Sequence, residues 1–187
     1  ASVTGLQFGK MLLVALGYDA EIEKLVGNSW AINTAKLALN TDLDEDMEDI
    51  SLSKELTREE AAQMAFNAMK ATLVEYEDKG GDIIIGDITI NNGATKATPV
   101  TSKVKAESTN ISAEKTTDGL WTVEFAEKYC KDLKVTANDT DAFERPASTW
   151  KYKNAEIGTY ADEADLTYTD ETKIGTIYTD LGLSDGI

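Results

Sequence analysis

LTREEAAQMAFNAM, residues 56–69, carries the clearest local signal in the chain. Thr57 followed three residues later by Glu60 is a capping box: the Thr hydroxyl accepts from the amide of Glu60, and the Glu60 carboxylate accepts from the amide of Thr57. A helix therefore starts here. Ala61, Met64, Ala65, Ala68 and Met69 recur at i, i+3, i+4, i+7 and i+8, which predicts one buried face on a helix running to about Tyr76.

The same pattern stands 53 positions earlier (57 minus 4) in VTGLQFGKMLLVAL, residues 3–16. Thr4 aligns with Thr57 and Gln7 with Glu60, while Phe8, Met11, Leu12, Ala15 and Leu16 align with the five apolar positions of the later copy. Cap and core positions are both expected to recur, and capped helices that each need a neighbour are the mark of a repeat array, with Ala1 inside it. Between the copies, GNSWAINTAKLALN offers Asn28 or Ser29 as a cap and Ala31, Ala35, Ala38 and Leu39 as a shared helical face.

The unit of helix, loop and helix resembles the S-layer homology (SLH) family, whose repeats have a Trp-Ala near the start of the first helix and a Thr-Arg-Ala-Glu tetrad opening the second. Here these read Trp30-Ala31 and Thr57-Arg58-Glu59-Glu60, within residues 1–77: half of one repeat and one full repeat. The chain departs from the family in three places. The tetrad Arg is Gly5 in the first copy, its Ala is Glu59 in the second, and DLDEDMEDISLSKE replaces the usual Gly-rich turn with Phe-x-Pro. The resemblance implies a secreted, extracellular protein of a Gram-positive bacterium, working in cell-wall anchoring or S-layer assembly. Its implied partners are an anionic, often pyruvylated, secondary cell-wall polysaccharide and neighbouring SLH repeats. The implied glycan-binding residues are Trp30, Thr57, Arg58 and Glu60.

The net charge is −16, from 34 acidic and 18 basic residues, with a pI near 4.3. Such a field repels nucleic acid and anionic lipid. An anionic glycan would need a local basic and hydrogen-bonding pocket, for which Arg58 at a helix N-terminus is the candidate. Cys130 is the single cysteine and there is no histidine, which removes an intramolecular disulfide, a His-dependent triad and a His-ligated zinc. No cofactor, metal site or catalytic residue is expected. The acidic series Asp42, Asp44, Asp46 and Glu48 reads as a solvated loop, since an EF-hand would need Gly at Met47 and Glu at Ser53. The longest apolar run, MLLVAL, is too short to span a bilayer.

Past Tyr76 the helical spacing stops, and the boundary is placed at about Gly80. Residues 1–79 then form an SLH-like helical unit and residues 80–187 a small β-rich domain of unknown role, α+β overall. IIIGDITI, VTSKVKA and LWTVEF read as strands, with hairpin turns at Asn92-Gly93 and Asp118-Gly119. AEKYCKDLKV reads as a helix passing into a strand, residues 138–146 as a loop, and Ile174, Ile177, Tyr178 and Leu181 as a closing helix. Trp121, Trp150, Tyr152, Tyr160, Tyr168 and Tyr178 supply the core of the second domain or, on an alternative reading, an aromatic glycan-binding or adhesion surface. Asn110-Ile111-Ser112 and Asn138-Asp139-Thr140 match the glycosylation sequon by pattern only.

Overall fold

The computed structural model describes residues 2–47, 50–105, 114–162, 168 and 170–182; the sequon at Asn110 and Glu48 of the acidic series lie outside them. The fold is mixed α+β. Three helices come first: α1 (Gly5–Ala15), α2 (Trp30–Asn40) and α3 (Arg58–Lys70). Both capping boxes form as the spacing predicts, at Thr4 with Gln7 and at Thr57 with Glu60. Ser29 holds the N-cap position of α2, but its side chain makes no capping bond.

The capped helix ends at Lys70, not near Tyr76, and the reason is tertiary. Ala71 turns to extended backbone, after which the Leu73 amide donates to the Val123 carbonyl at 2.9 Å and the Val74 amide to Leu16 at 2.9 Å. β1 (Val74–Glu75) starts there. Gly17, with φ +108°, permits the Leu16 approach, because a Cβ on it would lie 2.2 Å from the Val74 oxygen.

The caps recur between the two copies, but the buried faces do not. In α3 the buried residues are Met64, Asn67 and Ala68, equivalent by the 53-residue offset to positions 11, 14 and 15. In α1 the buried residues are Gly5, Gly9 and Leu13, while Met11 is 62% and Val14 48% exposed. At about 100° per residue these faces point roughly 160° apart. The difference follows from Gly5 and Gly9, whose lack of side chains turns that side of α1 toward Leu52 and toward Met64 and Ala38.

The remaining elements are β2 (Gly81–Ile85), β3 (Ile88–Asn92), β4 (Thr98–Pro99), β5 (Thr101–Ser102), β6 (Trp121–Thr122), α4 (Phe125–Tyr129), β7 (Leu133–Thr140), β8 (Pro146–Tyr152), β9 (Ala155–Ala161) and α5 (Ile174–Asp180). β7, β8 and β9 form an antiparallel meander; β1 pairs with β4, β2 with β3 and β5 with β6. The β2–β3 hairpin turns at Gly86-Asp87, so the turn expected at Asn92-Gly93 instead leads away to β4, which pairs with β1. The turn at Asp118-Gly119 does close, with Lys115 bridged to Trp121. β7 extends through Thr140, into the stretch read as loop from 138.

The core does not stop at Gly80. Leu13, Leu16, Leu25, Leu43, Met64 and Leu73 are buried together with Val123, and Val100 and Phe125 pack against them. Backbone bonds seal the junction: Val100 donates to Leu73, Val123 to Val100, and Phe125 to Ala71. Residues near 100 and 123 thus belong to the hydrophobic core of the helical unit. Trp150 of β8 adds a second contact, its ring 5.5 Å from Phe66 of α3.

Candidate functional site

Two helix N-termini lie side by side because Thr4 and Glu55 form an antiparallel bridge and the Leu56 amide donates to Val3 at 3.0 Å. Each terminus has four amides that the helix itself cannot satisfy. In α3, Glu60 N–H donates to Thr57 Oγ1 at 3.1 Å and Thr57 N–H donates to Glu60 Oε2 at 2.6 Å. The Thr57 backbone amide, and after it the Thr57 side chain, hold the Glu60 carboxyl below its usual range. The amides of Arg58 and Glu59 remain, and among the described residues neither has an acceptor within the chain.

The same two positions in α1 are filled. Gly5 N–H donates to the Lys54 carbonyl at 3.0 Å and Leu6 N–H to the Leu52 carbonyl at 2.7 Å. The segment is so close that a Cβ on Gly5 would lie 2.7 Å from Leu52 Cα and 2.9 Å from its oxygen. This contact accounts for glycine where the tetrad has arginine. The N-terminus of α1 is closed by the chain, whereas that of α3 is open.

Thr57, Arg58 and Glu60 are therefore brought together at one helix end, with Thr57 and Arg58 exposed. Among the described residues the Arg58 guanidinium has no carboxylate within ion-pair distance; the three pairs present are Lys70–Glu45, Lys79–Asp19 and Arg145–Asp141. Trp30 heads a different helix and is half-buried, and no hydrogen bond or ring–cation contact joins it to those three. An open helix N-terminus with an unpaired guanidinium can accept an anion through charge-assisted hydrogen bonds. Glu59, exposed beside it, opposes that with its own charge.

Two concavities lie elsewhere; Trp150 and Tyr160 of the aromatic set line the second. A cleft of about 450 Å³ opens at the C-terminal ends of α2 and α3, lined by Tyr18, Asn40, Asp42, Glu45, Asn67 and Lys70 among others. Its one cation is already paired, Lys70 Nζ lying 2.7 Å from Glu45 Oε2. Asn67, 2% exposed, donates through Nδ2 to the carbonyls of Leu43 at 3.2 Å and Glu45 at 2.7 Å, and so fixes the acidic turn. Burial, then the nearby Glu23 charge, push the Tyr18 hydroxyl up. A polar residue three positions after Met64 on an apolar stripe was the available signal for this cleft.

The second concavity, about 400 Å³, is apolar and is lined by Phe66, Met69, Leu133, Trp150, Ile157 and Tyr160. Phe66 and Trp150 are 84 residues apart, so no local pattern could announce it. Comparison with family models, with curated proteins and with solved structures returns no match, so the reading of the open α3 terminus rests on the geometry of this chain.

Proposed function

We propose that the chain is a non-catalytic segment of an extracellular surface protein, working in SLH-type cell-wall anchoring or S-layer assembly, and that it grips an anionic wall polysaccharide at the N-terminus of α3. One observation carries the reading: Arg58, exposed at the first position of a capped helix, has no carboxylate partner among the described residues, and the two amides beside it are unoccupied. A structural arginine at that place would be expected to pair with one of the chain's many carboxylates. A pyruvyl or other acidic sugar substituent offers the planar carboxylate that a guanidinium fork and helix amides recognise.

Neighbouring repeats enter as partners through α1. The face of Met11 and Val14 is exposed, while the corresponding face of α3, Met64 and Asn67, is buried, with the 43–45 turn held by Asn67. A further repeat would cover α1 in the same way.

The aromatic surface of the β-rich part is the weaker glycan platform. Trp150 has its ring against Phe66, and the Trp121 ring has the ammonium groups of Lys105 and Lys115 at 5.1 and 5.7 Å. Sedimentation of the whole chain with purified Gram-positive walls tests the proposal. Binding is expected to walls that keep their acidic polysaccharide and to be lost on walls stripped of it; equal binding to both would overturn it.

A further inference from the structure

Asn92 is the only asparagine in the chain that a glycine follows. The pair is exposed; Asn92 is the last residue of β3, and Gly93 lies just past the strand. A glycine nitrogen is the least shielded in a chain, and a Cβ built on Gly93 would meet nothing within 4 Å. Among the described residues the Gly93 amide has no acceptor. A backbone nitrogen and the side-chain carbonyl carbon it can attack thus stand on adjacent residues, both open to water.

The Asn92 side chain also helps to hold the base of the β2–β3 hairpin. Its Nδ2 donates to Asp78 Oδ2, and Asp78 Oδ1 accepts from the Gly80 amide at 2.8 Å. The Asp78 carbonyl accepts from the Thr95 amide at 2.8 Å and from the Thr95 hydroxyl at 3.0 Å, while the Asp78 amide donates to Thr95 Oγ1 at 3.0 Å. Asp78 thereby clasps the chain entering the hairpin to the chain leaving it. The two segments are close: a Cβ on Gly80, where φ is +75°, would lie 2.8 Å from the Asn92 carbonyl oxygen.

We propose that Asn92 is a site of spontaneous deamidation, restrained by Asp78, and that its product unlocks the hairpin base. The Gly93 nitrogen attacks Asn92 Cγ, the Cγ–Nδ2 bond breaks, and the side-chain NH2 leaves as ammonia with the proton of the Gly93 amide, closing a succinimide. Water then opens the ring to isoaspartate or aspartate. Closure swings Cγ onto the Gly93 nitrogen, so Nδ2 must first leave Asp78, and the clasp slows the reaction. Afterwards a carboxylate stands where the donor stood. It faces the Asp78 carboxylate, and like-charge repulsion replaces a charge-assisted hydrogen bond. The inference uses none of the residues assigned to glycan binding and stands apart from that reading.

The test is to hold the whole chain at mildly alkaline pH over days and to map its peptides by mass spectrometry for aspartate and isoaspartate. Conversion at Asn92 should run roughly tenfold ahead of that at Asn28, Asn91 and Asn154, whose successors all carry side chains, and Gly93→Ala, which points into open space, should slow it by about the same factor. Asp78→Ala should speed it severalfold in the native chain and leave it unchanged in concentrated urea, where the clasp is gone. Asn92→Asp, which carries the product's charge, should raise hydrogen exchange at the Gly80 and Thr95 amides and leave α1 as in wild type. Native conversion at Asn92 no faster than at Asn28 overturns the proposal. So does a native rate in Asp78→Ala equal to that of wild type, or exchange at Gly80 and Thr95 that Asn92→Asp does not change.

Discussion

Thr4 and Glu55 face each other across an antiparallel bridge, and this single pairing sets the capped ends of α1 and α3 next to one another. The residues that lead to the second cap are thereby laid over the first helix. Leu52 and Lys54 occupy the two amides at the start of α1, and the corresponding amides of α3 are left open. One terminus is structural and the other is available to a ligand.

The close approach at Gly5 predicts a contrast between two glycines of one helix. Gly5→Ala places a methyl 2.7 Å from Leu52 Cα and should cost about 1–3 kcal/mol by overpacking. Gly9→Ala meets Met64 Cε at 3.6 Å, an ordinary contact, and should stabilise by up to about 1 kcal/mol through helix propensity. Urea unfolding of the two variants checks the opposite signs.

Acid should weaken the second cap and spare the first. The Glu60 carboxyl is held below its reference value of 4.5 by the bonds from Thr57. A folded-state value below the unfolded one means that this group's contribution is present above about pH 4.5 and is lost as pH falls through the folded value. The Thr4 box uses Gln7, which does not titrate. Glu60→Gln should therefore flatten the acid limb of the melting temperature against pH, and an unchanged limb would refute the assignment.

Caps and helix starts could be read from the residues because they are local: the bonds span three positions, and Thr-x-x-Glu or Thr-x-x-Gln contains both partners. The helix passing into β7 and the closing α5 were legible for the same reason. The buried side of α1 was not, because periodicity counts apolar residues and cannot see that Gly5 and Gly9 admit neighbours. The end of α3 at Lys70 was set by backbone bonds with residues 100, 123 and 125, and the apolar concavity by Phe66 meeting Trp150. Of the four site residues, the three in one tetrad were placed together by the helix itself. Trp30 depends on how α2 packs, and a linear motif carries no information on that.

Asn67→Ala should destabilise by about 1–3 kcal/mol, because it leaves the Leu43 and Glu45 carbonyls without their buried donor. Hydrogen exchange in residues 43–47 should rise by more than in α1 if the side chain holds that turn.

Tyr76 ties the connector after α1 to β1: its hydroxyl donates to Glu23 at 2.7 Å and accepts from the Asp19 amide at 3.2 Å. Burial pushes its pKa up to about 12. Raised in the folded state, it contributes stability that is full below about pH 10 and is lost as pH rises toward 12. Spectrophotometric titration should show fewer tyrosines ionising near pH 10 in the native than in the unfolded chain, a deficit that Tyr76→Phe reduces by one.

The glycan reading turns on Arg58, and binding of Arg58→Ala to purified acidic wall polysaccharide tests it most directly. Losing a charge-assisted hydrogen bond costs about 1.5–3 kcal/mol, so affinity should fall roughly ten- to a hundredfold with the fold intact. Wild-type binding should weaken with salt, and Glu59→Ala should strengthen it by removing a like charge beside the ligand. Equal affinity of wild type and Arg58→Ala, at low and at high salt, would contradict the account and leave α3 as scaffold.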